Sequence, residues 1–270
     1  MSEVITRFLN RPTLNQLNPA PLQKMVFLID AAQATVAWRA LTHARIPCKY
    51  EQLWGRTPFQ ADMLQGPTWF VIGPQGIDQM ADLCHQRPGG VALTCTEPKA
   101  ALAHARALLS EGSRNIHDPA IWASMALESG RQQACLFGPW CEVFTPVPSA
   151  DPTTRHWHAW KNDAPATATC EYPLSLPDSL YSTYIDIRWL YWLRHNPQPF
   201  THLSDTDLSR SVSNLNFLVK HGIGVDRHLL QLSALIIHGD LSQREDLMAI
   251  LTSRELPHRR VEQLLQRIQP

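Results

Sequence analysis

His156 and His158, separated by one residue, are the pair in this chain best suited by type and spacing to hold a metal ion. Alternate side chains of a strand point to the same face, so the two imidazoles can supply two of the ligands of a tetrahedral zinc site. No His-Glu-x-x-His helix and no further ligand at a recognisable spacing accompanies them, and two histidines alternating with Trp157 and Trp160 fit an amphipathic strand as well. The carboxylates Asp30, Glu51, Asp62 and Asp118 can do acid–base work only in pairs, and nothing in their spacing brings two together. Arg114 can pair with Asp118 or with Asp30, and such a fork either pins the fold or binds a ligand carboxylate. The six cysteines, Cys48, Cys84, Cys95, Cys135, Cys141 and Cys170, form no Cys-x-x-Cys pair. With no export signal in view, they are expected to be reduced, with Cys48, Cys95 and Cys135 serving as small hydrophobes. Nucleophile elbows, phosphate loops and dinucleotide fingerprints are absent from the sequence, so no cofactor and no catalytic role is expected.

The elements that must position these residues begin with Met25 to Asp30, an apolar run ending in a carboxylate, and Thr68 to Ile72, bounded by Gly66-Pro67 and Gly73-Pro74. Both read as short buried strands punctuated by turns. Between them, Trp38, Leu41 and Ala44 recur at helical spacing and are expected to bury one face. A helix over Gly76 to Gln86, a strand over Val91 to Thr94 and a helix opened by Pro98 continue the alternation. Asp118 before Pro119 is expected to cap a helix running from Ala120 to Leu127. Two short strands are expected at Cys135 to Phe137 and Glu142 to Phe144. The fold class is therefore α/β: an N-terminal α/β lobe, residues 1–145, with a mixed, mostly parallel sheet flanked by helices. Residues 146–177 read as a Pro-rich connection, and residues 178–270 as a C-terminal all-helical lobe. In that lobe Tyr181 to Leu193 is apolar nearly all round, and Ser204 is expected to cap the next helix, which stops at His221-Gly222-Ile223-Gly224.

Three stretches carry a likeness to a known family. Phe27-Leu-Ile-Asp-Ala-Ala32, Leu53-Trp-Gly-Arg-Thr-Pro58 with Gly66-Pro67, and Arg114-Asn-Ile-His-Asp-Pro119 resemble, in order and spacing, the bacterial type VI secretion adaptor chaperones. Asn115, Ile116 and His117 replace that family's aromatic neighbours, and Ala120 replaces an arginine. The likeness covers most of the first half, and a looser helical likeness reaches the end. It implies a non-catalytic adaptor chaperone that binds a toxic effector and helps load it onto the VgrG spike. It also implies that Asp30, Arg56, Arg114, Asp118 and Pro119 form a structural signature.

Composition narrows the partners. Lys and Arg number 24 and so do Asp and Glu, which leaves no net field to recruit a phosphate backbone or an anionic membrane. Neither nucleic acid nor membrane is an expected partner, and the cytoplasm is the expected location. The candidate partner contacts are Trp157 and Trp160 in the Pro-rich connection and Trp189 and Trp192 on the aromatic helix, which is expected either to form the buried spine of its lobe or to offer a groove for a partner's segment. The alternative function is a metal-dependent hydrolase or transferase using His156 and His158.

Overall fold

The computed structural model describes residues 3–86, 89–109, 114–149, 151, 153–161, 177–200 and 203–268. Its contacts divide into two units, one made of Met1–Asn10, Pro148–Ala150 and Ile185–Pro270, the other of Arg11–Val147 and Asp151–Tyr184.

The larger unit is built on a seven-stranded sheet. In chain order the strands are β1 (Thr13–Leu14), β2 (Lys24–Ile29), β3 (Cys48–Gln52), β4 (Thr68–Ile72), β5 (Gly90–Cys95), β6 (Trp140–Pro146) and β7 (Trp157–Lys161). Their order across the sheet is β1-β7-β6-β5-β2-β4-β3, and every neighbouring pair is antiparallel. The expectation of a mostly parallel sheet is thus corrected. Helix α2 (Ala31–His43) joins β2 to β3, and α3 (Ile77–Gln86) joins β4 to β5. Each crossover joins strands that run the same way, but another strand lies between them: β4 separates β2 from β3, and β2 separates β4 from β5. These are two interleaved split βαβ units, a ferredoxin-like order.

Helices cover both faces. Ala37 and Leu41 of α2 and Ile77 and Met80 of α3 join Met25, Phe27, Phe70 and Ile72 in one core. On the other face lie α4 (Pro98–Ala107), α5 (Pro119–Glu128) and α6 (Gln133–Phe137). There the Trp140 indole donates to the Ala101 carbonyl at 3.1 Å, and Trp122 packs against both Phe137 and Trp140. Burial on both faces explains the unbroken apolar runs of β2 and β5. Residues Cys135 to Phe137, expected as a strand, are the end of α6, and Glu142 to Phe144 lie in β6 as expected. Asp118 caps α5 by accepting from Ala120 N, with Pro119 at the first helical position. Residues Trp157 to Lys161, within the stretch read as a connection, form β7 in the sheet, while 162–176 of that stretch lie outside the described residues. Cys48, Cys84, Cys95 and Cys141 are free thiols, but Cys135 is disulfide-bonded, which corrects the expectation of a reduced thiol there.

The smaller unit is helical. It contains α1 (Glu3–Leu9), the part of α7 (Ser179–His195) from Ile185 onward, the single turn α8 (Pro197–Phe200), α9 (Asp205–Lys220), α10 (Asp226–Gln231), α11 (Ser233–Ile237), α12 (Glu245–Leu251) and α13 (Pro257–Ile268). Ser204 caps α9, and Asp207 bonds back to it in a reciprocal capping box. Asn214 clamps the loop after α11: its amide donates to the carbonyls of Ile236 and Gly239, and its oxygen accepts from Leu241 N. Among the described residues no helix is long and apolar enough to cross a membrane.

Candidate functional site

The end of β3 is where distant parts of the larger unit converge. Leu53 N donates to Pro67 O at 2.9 Å, which turns the chain inward and buries Trp54. The Trp54 ring lies flat on Gly66, where a Cβ would come within 2.7 Å of three ring carbons. Its indole N–H donates to the carbonyl of Arg114 at 3.2 Å, and the Arg114 guanidinium stands 5.8 Å from the ring centroid. That distance is at the outer edge of a cation–π contact. Thr57 secures the intervening turn by donating to Trp54 O at 2.6 Å, and Arg56 takes a left-handed conformation with φ +62°. Asp30, at the end of β2, spends its carboxylate capping α2 through Gln33 N at 2.6 Å.

The arginine fork expected of Arg114 belongs to another residue. Arg106, in the last turn of α4, donates to the carbonyls of Leu53 and Gln52 and to the Glu51 carboxylate, at 3.2, 3.1 and 3.2 Å. It ties α4 to the end of β3. The sequence held a weak signal for it, a single arginine on the otherwise Ala-rich helix from Pro98.

Strand β3 is the edge of the sheet, and its central residues Lys49, Tyr50 and Glu51 are exposed. On one side of it the first turn of α4 and strands β3 and β4 enclose a cleft of about 720 Å³. Trp69, Val71 and Leu102 make its apolar floor, and Lys24, Lys49, Lys99 and Glu97 stand around it. Burial raises the pKa of Cys48, whose side chain packs against the core beneath α2 and α3, on the other face of the sheet. On the side of β3 opposite the cleft, Trp38 meets Tyr50 edge-on at 4.8 Å beside Leu64 and Phe70. Trp38 is 43 % and Tyr50 51 % exposed, so Trp38 is not the buried contact its spacing with Leu41 suggested. Gln33, Ala37 and Leu41 form the buried stripe of α2 instead, while Ala44 is exposed. A series read one residue away would have found that stripe.

The residues expected to meet a partner lie mostly inside. Trp157 and Trp160 are 1 % and 2 % exposed; the Trp160 indole donates to Thr145 Oγ1 at 2.9 Å, and Arg11 stacks on its ring at 3.7 Å. Trp189 is 7 % exposed and packs edge-on against the half-buried Trp192 at 5.7 Å. His158 is buried opposite Thr145, and desolvation, helped by the charge of Arg11, pushes its pKa down to about 4. His156 lies just before β7, and its carbonyl bonds His85 Nε2 at 3.0 Å. Among the described residues no group of three or more His, Cys, Asp or Glu side chains is placed to hold a metal.

The fold and the open edge define a class: an α/β protein whose sheet ends in an exposed strand with a basic, apolar-floored cleft on one side and an aromatic patch on the other. No family model, no curated protein and no solved structure shows significant similarity to the chain.

Proposed function

We propose that this chain is a non-catalytic adaptor chaperone that binds a type VI secretion effector and helps load it onto the VgrG spike. The observation that carries this reading is the meeting at Trp54. Two of the three segments that resemble the adaptor chaperones, Leu53 to Pro58 with Gly66-Pro67 and Arg114 to Pro119, are far apart in sequence yet enclose one side chain. The third segment supplies β2, which lies next to β4 in the same sheet. The unit they build holds out an edge strand, and an exposed strand with apolar surface beside it suits protein recognition. Loading precedes secretion, so the reading places the chain in the cytoplasm. The metal-dependent alternative through His156 and His158 would need further ligands, which the described residues do not bring to the pair.

The test is an affinity pull-down of the tagged chain from lysate of its source cells, with mass spectrometry of what remains after a moderate-salt wash. Recovery of a VgrG-type spike or a large toxin is the expected result. Recovery of neither overturns the reading.

A further inference from the structure

We infer that β3 accepts an added strand from a partner polypeptide, and that this strand alternates acidic and apolar side chains. The assignment rests on the proposed reading only in taking its occupant to be a polypeptide.

The backbone argument comes first. Strand β3 pairs with β4 over all five residues, from Cys48 opposite Ile72 to Gln52 opposite Thr68, with no register shift. No described strand pairs with its other side. Natural edges are commonly blunted by proline, a bulge or a covering element. The only proline here, Pro47, precedes the strand, and the three central residues are exposed. An extended segment can therefore continue the sheet through main-chain hydrogen bonds, leaving side chains to set specificity.

The side chains define the pattern. Successive residues of a strand face opposite sides, so an added strand would send alternate side chains into two different environments. On the cleft side it would meet Lys49, with Lys24 and Lys99 close by. Glu51, the acidic residue of β3 on this side, is already held by Arg106 at 3.2 Å. Three lysines against the remaining Glu97 leave the cleft positive, which suits carboxylates. On the other side the added side chains would meet Tyr50, Trp38 and Leu64, exposed by 51 %, 43 % and 76 %. Apolar side chains placed there would cover surface that the folded chain leaves wet.

The experiment uses the full chain and three synthetic probes, with fluorescence anisotropy as the readout. The first probe is a labelled, end-capped heptapeptide alternating Glu and Val, the second replaces each Glu by Lys, and the third is the Glu-Val peptide N-methylated at alternate residues. The Glu-Val peptide should bind at least about tenfold more tightly than the Lys-Val peptide, and more weakly as salt rises. N-methylation should abolish binding, because it removes the donors a sheet edge needs. K49E, at an exposed side chain, should lose most of the preference while its far-ultraviolet circular dichroism stays that of the parent. Equal binding of the acidic and basic peptides, no binding of either, or indifference to N-methylation would overturn the inference. A pull-down that recovers a spike or toxin while the peptides fail sinks the inference alone, whereas peptide binding without such recovery sinks the secretion reading alone.

Discussion

The Trp54 indole donates to the main-chain carbonyl of Arg114, a residue 60 positions further along, at 3.2 Å. The Trp-Gly-Arg-Thr-Pro turn and the Arg-to-Asp-Pro segment are therefore two halves of one joint. Gly66 completes it, because only a residue without a side chain lets the ring lie against the backbone there.

Gly66→Ala should therefore act by overpacking. Its φ of −82° is open to any residue, so the cost comes from the ring and not from the backbone. A loss of about 2 kcal/mol is expected in urea unfolding. The same substitution on a Trp54→Ala background should cost clearly less, because the clash is gone. Equal costs in both backgrounds would show that Gly66 and Trp54 are not coupled.

How much of this was legible follows from what each signal reports. Asp118 and Ser204 were read correctly as caps because capping is local chemistry, settled within a few residues. The strand segments of β2 and β4 were equally plain. Their direction was not: an unbroken apolar run says that both faces are covered, and nothing about which neighbour runs which way. Inserting β4 between β2 and β3 turned an apparent parallel pair into two antiparallel ones. The candidate site was harder still. Tryptophans attract attention as contacts, yet Trp157 and Trp160 fill the interior, while the exposed edge is marked only by Lys49, Tyr50 and Glu51, an unremarkable polar run.

The aromatic helix gives a prediction that separates stability from binding. Trp189 is 7 % exposed, so Trp189→Ala should cost about 3–5 kcal/mol and lower the unfolding midpoint sharply. Trp192→Ala removes a half-buried ring and should cost clearly less. Only the second variant is a fair probe of partner capture. Similar, small losses for both in urea unfolding would contradict the packing described for α7.

Acid should weaken the larger unit through its buried histidines. Desolvation is the main cause that pushes His158 and His117 down to about 4. The unfolded chain takes up those protons near pH 6.5, so between about 6.5 and 4 it binds more protons than the folded chain. Stability is thus full above about pH 6.5 and falls as the pH drops toward 4. For His158 alone the loss is of the order of 3 kcal/mol. His158→Gln should flatten this part of the profile when urea midpoints are compared at pH 4.5 and 7.5. A slope unchanged from the parent's would remove His158 as its source.

The thiols should divide by burial. Cys84 is fully buried with its pKa pushed far up, and burial pushes Cys95 up to about 12, so neither should react with maleimide in the folded chain. Cys48 and Cys141, both half-buried, should label before them. Unfolded without reductant, the chain should offer Cys48, Cys84, Cys95 and Cys141 as thiols. Reduction should release the disulfide at Cys135. Such a bond is uncommon in a reducing compartment, so finding all six thiols free before reduction would remove the bond and favour the cytoplasmic reading.

The helical unit turns on one buried cation. Arg260 is 8 % exposed, and its Nη1 donates to His221 O at 2.6 Å and to Leu251 O at 2.8 Å, joining the ends of α9 and α12. The carbonyls at a helix end have no partner within the helix, so the guanidinium satisfies groups that burial would otherwise leave bare. Gly222, at φ +78°, turns the chain out of α9 beside the same guanidinium. Arg260→Met keeps most of the apolar stem but leaves two acceptors without their charged donor. The expected cost is about 3 kcal/mol. Arg260→Lys should recover only part of it, because the shorter, flexible stem holds its ammonium less firmly between the two carbonyls than the planar guanidinium holds Nη1. Full recovery by lysine in urea unfolding would mean that charge alone, without the rigid guanidinium, holds these helix ends together.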